Sequence, residues 1–293
     1  MRPHRKQSLP HLPQAEGGKR MESAELKKIA KKLRFEAVRM IYEGKDGHPG
    51  PALSIADIMA ALYFDIMRVD PDRPDDPDRD RFILSKGHAC PIFYAALNER
   101  GFVKPKVQDY RLRALDSIFQ GHPSMHSGVP GIDMTSGSLG NGIAIGAGMA
   151  IAAKVHKRDF YTYVICGDGE LQEGVIWEGV NIATGRKLDN LIVFIDKNNW
   201  QSYKTVDFTV GLNNVAERFR AFGWDTQEID GHDMDAIKAA VAKAKTVAGK
   251  PHAIVCDCIK GCGVSYMADN NAWHKGVPTD EEWAIAKSEL GGE

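Results

Sequence analysis

Two short polar motifs have residue types and a spacing that could hold a metal ion and a diphosphate. The first, Gly167-Asp168-Gly169, directly follows the apolar run 160–166, and the second, Asn198-Asn199, follows the apolar run 191–195. Apolar runs of this length predict buried strands. The 28 residues between the motifs leave room for one helix and one strand. Because ligands of open α/β sheets bind beyond the carboxyl ends of the strands, we expect both motifs to meet at one sheet edge.

The residue types indicate which chemistry this edge could support. Mg²⁺ and Ca²⁺ prefer oxygen ligands, and Asp168 offers a carboxylate, Asn198 an amide oxygen and Trp200 a main-chain carbonyl. Gly167 and Gly169 allow the backbone to approach a diphosphate, and the helix that follows begins with free N–H groups. A Gly-Asp-Gly tripeptide alone is more typical of a plain strand-to-helix turn. Its spacing to the asparagine pair favours the metal-diphosphate interpretation.

Six short segments, taken in order along the chain, resemble the motifs of transketolases. The segment GDGELQEG at 167–174, together with Asn198, resembles the family's thiamine diphosphate motif. The other segments are GKDGHPGPAL at 44–53, FILSKGHA at 82–89, QGHP at 120–123, TSGSLGNG at 135–142 and WHKG at 273–276. The last of these departs slightly from the family's usual His-Gly element. The resemblance covers nearly the whole chain and implies thiamine diphosphate with Mg²⁺ (or Ca²⁺) as cofactors.

The resemblance implies roles for four histidines and one glutamate. His48, His88 and His122 are expected to face the thiazolium ring and the sugar, and His274 to contact the diphosphate or the substrate. His88, His122 and His274 are therefore also expected to bind the cofactor. Imidazole suits this work because it exchanges protons near neutral pH and hydrogen-bonds sugar hydroxyls. Glu173 is expected to join a carboxylate network between two active sites of a dimer, although a first-turn acid at a helix start would look the same.

The loop Gly137-Ser138-Leu139 is implied to receive the cofactor's aminopyrimidine through main-chain groups of Gly137 and Leu139. The glutamate that activates the cofactor lies, in the family, on a pyrimidine-binding domain that follows this one. This sequence ends at Glu293, after the last motif of the first domain. The resemblance therefore implies the N-terminal subunit of a split transketolase, with the pyrimidine-binding domain on a separate C-terminal subunit, in an α2β2 heterotetramer. A truncated chain would have the same sequence features.

The activity implied is transfer of a two-carbon ketol unit from a ketose or ketose phosphate to an aldose or aldose phosphate, only with the partner subunit. One departure concerns the substrate: relatives commonly continue after Asn198 to an Asp-Gly turn, whereas this chain reads Asn199-Trp200-Gln201-Ser202-Tyr203-Lys204. An unusual sugar therefore stays open. Two other interpretations also stay open. One is another thiamine diphosphate enzyme, such as a 2-oxo-acid dehydrogenase of the α type. The other is a non-catalytic cofactor-binding module, which the presence of Asp168 and Asn198 disfavours.

Composition excludes several function classes. The 38 Lys and Arg residues nearly balance the 39 Asp and Glu residues, so no net charge attracts nucleic acid or an anionic membrane. The longest apolar stretch, 143–153, is too short to span a bilayer. The five cysteines lack a zinc-binding pattern and are expected to be reduced, in the cytoplasm. Residues 1–22 read as a flexible basic tail, for which a transit-like role stays open, and residues 23–293 as the thiamine diphosphate-binding domain.

The order of predicted elements indicates an α/β fold with a mostly parallel central sheet and helices on both faces. Strands are predicted over 81–84, 160–166, 190–196, 225–229 and 252–259. Helices are predicted over 24–44, 54–67, 90–100, 138–157, 171–184, 213–222, 233–248 and 279–290.

Overall fold

A computed structural model describes residues 20–103, 111–211 and 214–291. The described residues form one five-stranded sheet in which every pairing is parallel, with the strand order β1-β2-β3-β5-β4. The strands are β1 (Arg81–Leu84), β2 (Thr162–Gly167), β3 (Leu191–Lys197), β4 (Asp225–Asp230) and β5 (His252–Asp257). The predicted α/β class and all five predicted strands are therefore present.

The central strands are apolar along their whole length because helices cover both of their faces. Tyr163 and Ile165 of β2 point into one core, and Val164 and Cys166 point into the other. The β2–β3 register places Gly167 opposite Asp196. Both predicted motifs therefore leave the sheet at the same edge, as their order along the chain requires.

Helices form a layer on each face of the sheet. On one face lie α1 (Ser23–Gly44), α3 (Ala56–Ala61), α4 (Cys90–Arg100) and α9 (Met234–Ala244), and on the other lie α5 (Asn141–Val155), α6 (Gly174–Gly185) and α8 (Val215–Ala221). The short helices α2 (Pro49–Leu53) and α7 (Val206–Val210) belong to loops at the carboxyl edge, and α10 (Asp280–Leu290) packs against α1.

Several predicted helices begin or end elsewhere. The helix predicted over 54–67 consists of α3 followed by a wider π-helical turn over Leu62–Ile66, and α2 was not predicted. The helix predicted from residue 138 begins at Asn141, because Gly140 has a left-handed φ of 89°. The helix predicted from residue 171 begins at Gly174, after a 3₁₀ turn over Gly169–Gln172.

Two residues before the predicted domain boundary at residue 23 also belong to the folded domain. Met21 is buried, and its N–H donates to Asp65 Oδ1 at 2.6 Å. Its carbonyl accepts from Lys238 Nζ at 2.6 Å, and Glu22 directly precedes α1. Met21 and Glu22 therefore belong to the domain, while residues 1–19 of the predicted tail lie outside the described residues. None of the described helices is long and apolar enough to cross a membrane.

Candidate active site

A cleft of about 770 Å³ opens at the carboxyl edge of the sheet. The predicted site residues that line it are His48, His88, Leu139, Gly167, Asp168, Gly169, Glu173, Asn198, Trp200 and His274. His122 and Gly137 lie beside the cleft rather than in its wall, and a Cβ placed on Gly137 would be 3.8 Å from His122 Cγ. The structure therefore brings the predicted residues to one place, although they come from six separate segments.

The first motif is held by hydrogen bonds between the ends of β2 and β3. Asp168 Oδ1 accepts from the Gly169 N–H at 2.8 Å, and Asp168 Oδ2 accepts from the Asn199 N–H at 2.6 Å. Asn199 has a left-handed φ of 64°, a conformation that asparagine tolerates better than most residues. Asp168 is therefore fixed in a turn that this backbone conformation makes possible.

Asn198 is oriented by a buried carboxylate behind it. Its Nδ2 donates to Asp196 Oδ2 at 2.8 Å, and its Oδ1 accepts from the Trp200 N–H at 3.1 Å. Burial raises the pKa of the Asp196 carboxyl, but the Lys86 ammonium at 2.5 Å outweighs this and holds that pKa below its usual value. Asp196 is thus an anion paired with Lys86, and it fixes the amide of Asn198.

The donor set fits a hard divalent cation bound together with a diphosphate. Burial and the nearby charge of Asp196 raise the pKa of Asp168 to about 7, so a cation at this position would stabilise the charged carboxylate. The carboxylate of Asp168, the amide of Asn198 and a carbonyl at Trp200 are all oxygen ligands. Within the described ranges no group of three His, Cys, Asp or Glu side chains could hold a metal alone. Diphosphate oxygens would therefore have to complete the coordination.

Lys260 supplies a cation to the same cleft, and the sequence motifs did not reveal it. Its side chain is 1% exposed, and its Nζ donates to Gln201 O at 3.1 Å and to Asn271 Oδ1 at 2.9 Å. His274 Nδ1 lies 2.9 Å from the same ammonium. Burial and the neighbouring Lys86 lower the pKa of Lys260 to about 8. A buried ammonium that faces a cleft is suited to bind an anion such as a phosphate group.

Three of the predicted histidines form a compact cluster. The ring centroids of His48, His88 and His274 lie 5.3 to 5.5 Å apart. Burial lowers the pKa of His48 to about 4 and that of His274 to about 3, and it lowers the pKa of His88 well below its usual value. Among the described residues, His48 Nδ1 is buried and has no hydrogen-bond partner. The cluster therefore presents neutral imidazoles, which can donate to hydroxyls or accept from them.

His122 differs from the other three because it is exposed. Partial burial and the charge of Arg113 lower its pKa. Its ring packs toward Gly87, where an added Cβ would lie 3.2 Å from His122 Cδ2. His122 is therefore placed at the margin of the cleft, within reach of a ligand that fills its open end.

Two glutamates near the cleft have different environments. Glu173 is exposed, directly precedes α6 and makes no capping hydrogen bond, so its role between two active sites stays a prediction. Glu170, for which the motifs predicted no role, is buried. Its Oε1 accepts from the Gly140 N–H at 2.7 Å and from the Ser85 hydroxyl, and its Oε2 accepts from the Gly167 N–H at 3.1 Å. Glu170 thus joins the turn at Gly167–Gly169 to the loops of Ser85 and Gly140.

Comparison with known proteins identifies the family. The family model described as "Transketolase, thiamine diphosphate binding domain" matches residues 25–293. The chain belongs to the transketolase family. Three predictions from the motifs are thereby confirmed: the transketolase family, the transferase class and thiamine diphosphate as the cofactor type.

Two similar proteins are single subunits of about the same length as this chain. One is an apulose-4-phosphate transketolase subunit of Phocaeicola vulgatus, 42% identical over 92% of this chain and 94% of its own length. The other is the 6-deoxy-6-sulfo-D-fructose transketolase subunit SqwG of Clostridium sp., 43% identical over 83% of this chain and 88% of its own length.

Longer transketolases are matched over less than half of their length. The chain is 36% identical to the transketolase of Homo sapiens over 88% of its own length but 41% of the human protein. The crystal structure of the Campylobacter jejuni transketolase superposes with a TM-score of 0.87 at 32% identity, covering 93% of this chain and 44% of that one. The parallel sheet described above is therefore the thiamine diphosphate-binding fold of this family.

Proposed function

We propose that this chain is the diphosphate-binding subunit of a two-chain transketolase. The observation that carries the proposal is the convergence of oxygen ligands, a buried ammonium and neutral imidazoles in one cleft. Asp168, Asn198 and the Trp200 carbonyl would hold Mg²⁺, and Lys260 would bind the diphosphate. Thiamine diphosphate supplies carbanion chemistry at a carbonyl carbon when it is bound. The chain's own residues bind and orient this group and handle protons around it.

The histidine cluster is suited to hydrogen-bond the hydroxyls of a sugar. Neutral His48, His88 and His274 can each accept a hydrogen bond from a hydroxyl or donate one to it without first losing a charge. The substrate would be a ketose that gives a two-carbon ketol unit to an aldose. The substrates in the names of the two similar subunits, a sugar phosphate and a sulfosugar, support a ketose with an anionic group, including unusual sugars.

A second subunit is supported by the same relatives, which are named as subunits and align over most of their length. It would carry the pyrimidine-binding domain and would cover the exposed end of the cleft, where Glu173 and His122 lie. Two copies of each subunit would form a heterotetramer. The five free thiols favour a cytoplasmic location, where cysteines stay reduced.

The test is reconstitution with the protein encoded beside this chain's gene. With thiamine diphosphate and Mg²⁺, the pair should transfer carbons 1 and 2 of a labelled ketose phosphate to an aldose acceptor, and neither chain should do so alone. D168N should abolish the transfer, whereas K197M, which changes a surface pair with Asp257, should leave it intact. Robust turnover by the isolated, cofactor-saturated chain would overturn the two-chain proposal.

A further inference from the structure

Arg113 lies between the two loops that carry His48 and His122. Its Nη1 donates to Asp46 Oδ2 at 2.9 Å, and Asp46 stands two residues before His48. On its other side the guanidinium lies against Gly121, where an added Cβ would be 2.6 Å from Arg113 Cζ. Gly121 directly precedes His122. One side chain therefore contacts both histidine loops.

The backbone of Arg113 is held in an uncommon conformation. Its φ is +61°, in the left-handed region that arginine rarely adopts, and its N–H donates to Phe119 O at 2.8 Å. Such conformations persist where the surroundings determine them, and they concentrate at functional sites. Within the described residues, Arg113 Nε is buried and has no hydrogen-bond partner. The ion pair with Asp46 and the contact with Gly121 thus determine where the guanidinium lies.

The charged and titratable groups around His48 come from several loops. They are Asp46, His88, Arg113, His122, His274 and Lys275. Lys275 Nζ lies 3.5 Å from Asp46 Oδ1, so Asp46 is shared by two cations. After burial, Arg113 is the next largest cause of the low pKa of both His48 and His122. Arg113 is therefore placed to keep both imidazoles neutral as well as to hold their loops.

We propose that Arg113 is a positioning residue that holds the His48 and His122 loops in one relative arrangement at the open end of the cleft. The planar fork of the guanidinium spans both contacts, which the single ammonium of a lysine cannot reproduce. This positioning role rests on the proposed function in one respect only, which is the identity of the ligand that His48 and His122 contact.

Kinetics of the reconstituted two-chain enzyme provide the first test. R113K keeps the charge but loses the fork, and G121A keeps the arginine but displaces its guanidinium. Both should lower kcat by about 10- to 100-fold on a phosphorylated and on an unphosphorylated ketose alike, because a small misplacement of reacting groups costs this much. The control is R220M, which removes surface ion pairs with Glu217 and Glu228 and should leave kcat unchanged.

Histidine NMR titration of the chain alone provides the second test, independent of turnover. R113M should raise the titration midpoints of His48 and His122, whereas R220M should not. Full activity of both R113K and G121A would overturn the proposal. So would unshifted midpoints in R113M, or a loss confined to the phosphorylated ketose, which would make Arg113 a substrate contact. If thermal melting shows that R113M is not folded, the kcat values of R113K and G121A test the proposal instead. An inactive wild-type pair whose midpoints shift in R113M would count against the proposed function alone.

Discussion

Replacing Lys260 with methionine should weaken cofactor binding while leaving the stability of the empty chain at pH 7 nearly unchanged. Lys260 is 1% exposed, and its pKa lies at about 8 instead of the ordinary 10.5. Keeping it charged at pH 7 therefore costs roughly 3 kcal/mol, at about 1.4 kcal/mol per pKa unit. Methionine removes this cost but also loses the hydrogen bonds to Gln201, Asn271 and His274, each worth about 1 kcal/mol. The two effects nearly cancel, so K260M should be about as stable as wild type at pH 7.

The sign of the pH dependence follows from the direction of the shift. The unfolded chain, in which Lys260 has its ordinary pKa of 10.5, binds the proton more tightly than the folded chain does. The destabilisation of the folded wild-type chain by charged Lys260 is therefore fully present below pH 8 and is relieved as the pH rises from 8 to 10.5. Cofactor binding should weaken in K260M. Loss of a charge-assisted hydrogen bond to the diphosphate costs about 1.5–3 kcal/mol, which corresponds to an affinity roughly 10- to 150-fold weaker.

Urea unfolding at pH 7 and pH 10 measures the first effect, and a thiamine diphosphate–Mg²⁺ titration followed by tryptophan fluorescence measures the second. The matched control is K197M, because Lys197 is 35% exposed, pairs with Asp257 at 2.6 Å and lies outside the cleft. Relative to wild type, K260M should be about equally stable at pH 7 and less stable at pH 10, whereas K197M should leave cofactor affinity unchanged. Unchanged cofactor affinity in K260M, or a loss of more than about 1 kcal/mol at pH 7, would refute the reasoning.

Three further predictions concern the rest of the cleft. D168N should abolish Mg²⁺-dependent cofactor binding in a calorimetric titration without destabilising the empty chain, because the carboxyl is buried beside another anion; a lower melting temperature would contradict this. G140A should lose about 1–3 kcal/mol in urea unfolding, since its φ is +89° and its Cβ would meet side-chain atoms of Glu173 and Val175 at 2.7 Å. Its matched control, G148A, lies in open space on α5 and should instead gain about 0.5–1 kcal/mol. Acid should destabilise the chain as pH falls from 6.5 toward 4, the folded pKa of His48, and H48Q should flatten that part of the profile.

The sheet and the meeting of the two polar motifs at its edge could be predicted because their signals are local. Each buried strand is a continuous apolar run, and each polar motif begins where such a run ends. The parallel arrangement then fixes which ends meet, so Asp168 and Asn198 could be placed together from the sequence alone. Helix ends were less predictable, since the glycine at 140 ends the loop with a left-handed residue that the apolar pattern does not show.

Residues that act across the fold could not be predicted in this way. Glu170 joins loops that are 30 and 85 residues away in sequence, so no local pattern identifies its partners. Lys260 follows β5 at the same edge as the two motifs, and that position was the one available signal. Both residues become evident only when the strand order is known.

Two parts of the cleft wall differ in a way that bears on how the cleft works. Asp168, Asn198 and Lys260 are buried and held by hydrogen bonds within the chain, so cofactor binding there needs little rearrangement. The segment that follows Asn198 also lines the cleft, and there Tyr203 is 90% exposed and Phe208 73% exposed. Exposed aromatic side chains beside a polar cleft are typical of surfaces that a partner covers. Because water must be excluded for charges in the cleft to act strongly, we expect the cleft to become effective only when the second subunit covers this exposed wall.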